Sequence, residues 1–144
     1  MGDKNIIYFE KLHSDAIIPT KGTTNSVGLD IYAIDKAIIL PFGRTLISTG
    51  IKVKLPHGTY GRISPRSGLS WKYGIHLMAG VVDPDYTGEL KVLLCNISTE
   101  IVYIKKHDRI AQLICEKAVF PKIATANINE ITERGAKGFG STDE

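Results

Sequence analysis

Apolar residues fall along the chain in short runs rich in Ile, Val and Tyr, each closed by a polar turn. The runs predict strands near Ile6–Phe9, Leu29–Ala33, Ala37–Leu40, Leu46–Lys54, Tyr60–Ile63, His76–Met78, Leu90–Ile97, Ile101–Ile104, Arg109–Cys115 and Ala118–Ile123. The connections include Pro41-Phe42-Gly43, Leu55-Pro56-His57-Gly58, Ser64-Pro65-Arg66-Ser67-Gly68, Asp83-Pro84-Asp85 and Lys106-His107-Asp108. Pro fixes φ, Gly permits φ > 0, and Asp bonds its own backbone, so these are turn chemistries. Short strands punctuated every ~8–12 residues predict an all-β fold, a β-sandwich or jelly roll. Alternation is clearest at Ile51-Lys52-Val53-Lys54, where the two apolar residues share one face and the lysines the other. Only Ser67–Tyr73 predicts a turn of helix. With no internal repeat, linker or low-complexity stretch, one domain is expected over 1–131. Residues 132–144 differ in kind: Gly135, Gly138 and Gly140, several charges and one aromatic, Phe139. Such a segment has little to bury and is expected to be mobile until a ligand orders it.

Composition narrows the function classes. The chain has 144 residues, the size of one domain, with 43% hydrophobic and 23% charged residues, the balance of a soluble globule. Its net charge of +3 suits an anionic small molecule but is thin for a protein that lives on nucleic-acid backbone, so no nucleic-acid partner is expected. No window approaches the ~20 apolar residues of a membrane span, and Met1-Gly2-Asp3-Lys4-Asn5 lacks the build of a secretory signal. Cys95 and Cys115 each sit in an apolar run with no CxxC pair, as expected of buried free thiols. An intracellular domain, without membrane, disulfide scaffold or zinc ribbon, is the expectation.

Three segments carry candidate chemistry. In Gly61-Arg62-Ile63-Ser64-Pro65-Arg66-Ser67-Gly68-Leu69-Ser70, a guanidinium, a hydroxyl and an unhindered amide share one turn at the mouth of the predicted helix. That combination suits a phosphate; an ordinary surface turn capped by Ser67 is the alternative. In Ala79-Gly80-Val81-Val82-Asp83-Pro84-Asp85-Tyr86-Thr87-Gly88-Glu89, three carboxylates and a tyrosine meet at a hairpin tip. They suit a divalent metal or a general base toward water, or form only an acidic turn. The tail, Arg134-Gly135-Ala136-Lys137-Gly138-Phe139-Gly140-Ser141-Thr142, is not a P-loop, because Ser rather than Lys follows Gly140 and no helix follows. It remains a strip able to fold over a nucleotide, with the ring on the base and Arg134 on phosphate, or else a plain tail. The four histidines are scattered off metal-ligand spacing, and GxSxG and GxGxxG are absent.

Together these segments resemble the five ordered motifs of the trimeric dUTP pyrophosphatase (dUTPase) family. Val27-Gly28-Leu29-Asp30-Ile31-Tyr32-Ala33 resembles AGxDLxA, and the Arg66 turn resembles GRxxPRSGLA. Gly80 to Glu89 resembles GVIDxDYRGE, Asp108 to Ile114 resembles GDRIAQLI, and the tail resembles RGxGGFGSTG. The resemblance runs from about residue 25 to the end, in family order and spacing. The departures are Ser26-Val27 for two alanines, Thr87 for an arginine, His107 for a glycine, Lys137 for a tail glycine and Asp143 for a terminal glycine.

The resemblance implies a distorted jelly roll assembled as a homotrimer with shared active sites. It implies hydrolysis of dUTP to dUMP and pyrophosphate by in-line attack of water on the α-phosphorus, with Mg²⁺, which lowers dUTP and supplies dUMP for thymidylate synthesis. By the family pattern Asp83 is the general base, and Tyr86 lies beneath the deoxyribose, excluding a 2′-hydroxyl. The hairpin from Gly80 through Val81 and Val82 to Lys91 reads uracil with its main chain. Arg66, Ser67, Gly68 and Gln112 hold phosphate. Arg134, Ser141 and Thr142 reach the γ-phosphate, with Arg134 akin to an arginine finger, while Phe139 beside Gly140 covers the uracil. Residues 132–144 are then a lid, and Asp30 contacts Mg²⁺ through water or braces the sugar site. A dCTP deaminase shares the fold, but the Gly-Phe-Gly-Ser-Thr tail and the short chain speak against it. A non-catalytic jelly-roll module predicts loss of Asp83, Gln112, Arg134 or Phe139, all of which are present.

Overall fold

The computed structural model describes residues 5–141. Within them the chain forms β1 (Tyr8–Lys11), β2 (Thr20–Lys21), β3 (Leu29–Tyr32), β4 (Ala37–Ile39), β5 (Arg44–Ser48), β6 (Ile51–Lys54) and β7 (Thr59–Ser64). After these come α1 (Ser67–Tyr73), β8 (Ile75–Met78), β9 (Val81–Val82), β10 (Lys91–Asn96), β11 (Val102–Ile104) and β12 (Arg109–Lys117). The strands make a five-stranded sheet in the order β2-β3-β12-β7-β9, a three-stranded sheet β5-β10-β8, and the pairs β1-β6 and β11-β4. Every pairing is antiparallel. This is the jelly-roll-like sandwich expected, with no sheet closed on itself into a barrel.

Alternating inward residues of the two larger sheets build one core: Ile31 from β3, Ile63 from β7, Leu113 from β12, and Val92 and Leu94 from β10. Burial of these side chains, each worth about 1.5–3 kcal/mol, supplies the driving force for the fold. Asn96 is fully buried yet satisfied. Its Nδ2 donates to the carbonyls of Ile39 (3.1 Å) and Glu100 (2.7 Å), and its Oδ1 accepts from the Ser98 N–H (2.9 Å) and hydroxyl (2.7 Å). A buried amide so partnered ties β10 to β4 without an orphaned polar group.

Three expected strands differ in the structure, and two short strands are added. The run Leu46–Lys54 is two strands, broken where Gly50 takes φ +72°. β1 lies two residues later than its apolar run, and the short strands β2 and β9 were not foreseen. Ala118–Ile123 forms no strand: the Ala118 N–H donates to the Gly58 carbonyl at 3.0 Å, and Val119, Phe120 and Ile123 are exposed. No helix among the described residues is long and apolar enough to cross a membrane.

Candidate active site

Strand β12 is the spine of the site. It lies between β3 and β7, with Gln112 facing Asp30 on one side and Ser64 on the other. Residues directly opposite in a ladder share a face, so the side chains of Asp30 and Gln112 emerge together beside the end of β7, where the chain turns through Pro65 into α1. There the Arg66 Nε lies 3.2 Å from the Asp30 Oδ1, and the Gln112 Nε2 donates to the Pro65 carbonyl at 2.9 Å. Arg66 occupies the N-cap position of α1, and no side chain caps the helix there. The cap is therefore not Ser67, which is the first helical residue and exposed beside Gly68. Asp30, Arg66 and Gln112 thus come together at the turn that leads directly into the exposed Ser67 and Gly68.

The acidic hairpin stands elsewhere. β9 runs antiparallel to β7, with Val81 facing Arg62 and Val82 facing Gly61. Val82, the last residue of β9, is level with Gly61 and Asp83 follows it away from the Arg66 turn, whereas Gln112 is level with Ser64. Three residue steps along a strand are about 10 Å, and Arg66 lies beyond Ser64. One chain therefore keeps Asp83 apart from the Arg66–Gln112 group. Within the hairpin, the Tyr86 N–H donates to the Asp83 carbonyl (3.1 Å) and the Tyr86 hydroxyl to the Glu89 carbonyl (2.6 Å). The ring passes over Gly88, where a Cβ would stand 2.6 Å from the hydroxyl. Ile63, Ala79, Val81, Val82, Asp83, Tyr86 and Lys91 line a shallow concavity of about 170 Å³ on this hairpin.

The tail is a third piece. Its hydrogen bonds run within it: Arg134 Nε to the Lys137 carbonyl at 2.9 Å, the Gly135 N–H to the Thr132 hydroxyl at 3.0 Å, and the Ser141 N–H to the Gly138 carbonyl at 3.1 Å. Phe139 is wholly exposed. Thr142 lies outside the described residues.

On the same outer face of β7 and β12, Glu116 accepts from the Tyr60 hydroxyl at 2.5 Å and from the Arg62 Nε at 2.7 Å. These two hydrogen bonds hold its carboxyl below the usual glutamate range and push the Tyr60 phenol and the Arg62 guanidinium up. Cys95 and Cys115 are free but only partly buried, not fully buried as expected, and that partial burial pushes the Cys115 thiol up. Motif spacing alone did not foresee the link from Asp30 to Arg66; the register of β3 on β12 is the signal that carries it.

The sequence profile of the dUTPase family matches residues 14–143. The deoxyuridine 5′-triphosphate nucleotidohydrolase of Paramecium bursaria Chlorella virus 1 is 49% identical over 133 residues, covering 92% of this chain and 94% of that protein. The Saccharomyces cerevisiae protein of the same name is 52% identical over 130 residues, covering 90% and 88%. Among solved structures, a mutant of the Staphylococcus bacteriophage 80alpha dUTPase with dUpNHpp superposes with a TM-score of 0.87 at 25% identity, covering 96% of this chain and 98% of that one.

Proposed function

The chain belongs to the dUTPase family and is a hydrolase, and from that premise we propose that it converts dUTP and water to dUMP and pyrophosphate at sites shared between copies of a homotrimer. The observation that carries this assignment is the convergence of Asp30, Arg66 and Gln112, at the turn into Ser67 and Gly68, at one end of the five-stranded sheet of a chain in this family. The guanidinium and hydroxyl are charge-assisted donors to the substrate's phosphates, and the first amides of α1 add to them.

Asp83 is the general base, drawing a proton from the water that attacks the α-phosphorus in line. Its separation from Arg66 along β7 supports a site completed by a second copy, whose hairpin brings the base to the phosphates gripped by the first. The exposed apolar arm of Val119, Phe120, Ile123, Ile128 and Ile131 supports assembly, since a run of this kind marks a protein contact. The Gly80–Lys91 hairpin reads uracil with main-chain donors and acceptors, which reject the cytosine amino group through an unmatched buried pair. Tyr86, braced by its bond to Glu89, excludes a ribose 2′-hydroxyl. Residues 132–144 close as a lid, with Arg134, Ser141 and Thr142 on the γ-phosphate and Phe139, beside Gly140, over the base.

The residues fit Mg²⁺ carried by the substrate. The Asp30 carboxylate, paired with the guanidinium given to the phosphates, is a fitting acceptor for the water shell of an ion that keeps its other ligands on the triphosphate. Bound there, Mg²⁺ would offset the charge of the triphosphate. Pyrophosphate release from dUTP, UTP, dCTP and dTTP, each with and without Mg²⁺, tests the assignment. Turnover confined to dUTP with Mg²⁺ is expected. Ammonia released from dCTP would reject it in favour of a deaminase, and UTP turnover near the dUTP rate would reject the part given to Tyr86.

A further inference from the structure

Gly28 stands one residue before β3 and, being two residues from Asp30, shares its face. A Cβ at this position would lie 2.0 Å from the Gln112 Oε1, 2.9 Å from its Cδ and 3.1 Å from its Cβ. The Gln112 side chain therefore lies across the bare Cα of Gly28, in a slot that any other residue would fill. At the far side of that slot the same amide donates to the Pro65 carbonyl. Proline has no N–H, so this carbonyl is its only backbone polar group. It also immediately precedes Arg66, the uncapped start of α1.

From this juxtaposition we infer that Gly28 is a positioning residue for phosphate binding: by leaving room for the Gln112 amide it keeps the Pro65 carbonyl tied, and with it the Arg66-Ser67-Gly68 turn. The inference rests on the assignment of that turn to the substrate's phosphates. A purely structural role for Gly28 is disfavoured on two counts. The residue is not at positive φ, so alanine brings no backbone strain. The nearest obstacle is the end of a flexible side chain, so the amide gives way before the sheet does. One strand face thus serves the turn twice, with Asp30 holding the Arg66 guanidinium and the gap at Gly28 holding the peptide before it.

The test compares Gly28→Ala, Gln112→Ala and the double variant in the full chain, by dUTP kinetics, thermal melts and the side-chain amide resonances of glutamine-labelled protein. Gln112 is the only glutamine in the sequence, so its NH₂ pair is assigned without ambiguity. In Gly28→Ala the pair is expected to move to the position of a solvent-exposed amide while KM for dUTP rises about tenfold with kcat little changed, the mark of lost ground-state grip. Adding Gly28→Ala to Gln112→Ala is expected to change KM by less than about twofold, because the remaining 3.1 Å contact is relieved by a small shift. An unmoved amide pair, or losses that multiply in the double variant, would overturn the inference. So would failure of both the single and the double variant to fold, which would make Gly28 a requirement of the sheet itself. If the unaltered protein releases no pyrophosphate from dUTP, the assigned function fails, while the amide resonances still judge the link from Gly28 to Gln112.

Discussion

Asp83 and Asp85 flank one proline at the hairpin tip and are both exposed, so proximity alone does not separate them. What separates them is placement: Asp83 follows directly from the paired residue Val82, and its carbonyl accepts the Tyr86 N–H, so its backbone is held from both sides. A positioned base contributes ~10²–10⁴ in rate. Asp83→Asn is expected to keep affinity for dUpNHpp while kcat falls on that order, with Asp85→Asn milder. Equal losses in the two variants would move the role. Glu116 offers a test away from chemistry. Its depressed folded-state pKa means that its contribution to stability is complete above the ordinary value of 4.5 and is lost as the pH falls through the lower folded value. Thermal melts of Glu116→Gln are expected to lie below wild type near neutrality and to converge with it on acidification; a pH-independent gap would deny the linkage. His107 occupies the position of a family glycine and keeps the left-handed backbone of one, with φ +67°. Its Nε2 donates to the Asp15 carbonyl at 2.8 Å, a contact glycine lacks, while the adjacent Lys106 pairs with Asp15.

At the scale of elements, the break between β5 and β6 rests on Gly50. A Cβ there would meet the Ile34 Cδ1 at 2.3 Å and the Ala16 Cβ at 3.1 Å, besides the strain of φ +72°. Gly58 has a similar φ, +78°, but open space around it. Urea unfolding is expected to register about 1–2 kcal/mol for Gly58→Ala, the left-handed penalty alone, and about 2–5 kcal/mol for Gly50→Ala, where crowding adds to it. Similar values for both would mean that packing at the corner relaxes freely. The same corner marks where the hydrophobic pattern stops being informative. Leu46 to Lys54 reads as one strand because the run holds no proline, and a lone glycine inside a strand pattern signals a break only weakly. Strands of two residues, such as β2 and β9, are too short to leave a period. The arm after Lys117 has the β-branched composition of a strand, but composition reports that a segment has apolar surface to bury and not which surface covers it. Most of the longer strands, and α1 over Ser67–Tyr73, were legible because turn residues bracket them closely.

For the whole molecule, the motifs stand out in the sequence one by one, but how the fold groups them does not. Nothing in the spacing between Arg66 and Asp83 tells that β9 runs back along β7 and carries the acid toward Tyr60. That information lies in strand register, which a linear motif does not hold. The hydrogen bonds of Arg134, Gly135 and Ser141 run to Lys137, Thr132 and Gly138, within the same stretch of chain. A chain ending at Ile131 is expected to fold and assemble like the full chain, by circular dichroism and sedimentation, while losing nearly all dUTP turnover. Full turnover would remove residues 132–144 from the reaction.

The divided ends of β7 carry a consequence for mixtures. If base and phosphate grip always come from different copies, a protein dead through Asp83→Asn and another dead through Arg66→Ala each retain the half that the other lacks. Unfolded together and renatured as mixed particles, the two inactive preparations should regain activity, because some sites then combine an intact carboxylate from one parent with an intact guanidinium from the other. Parents renatured separately and then pooled should stay silent unless copies exchange, so the time course of revival after pooling would clock how often a copy leaves its neighbours.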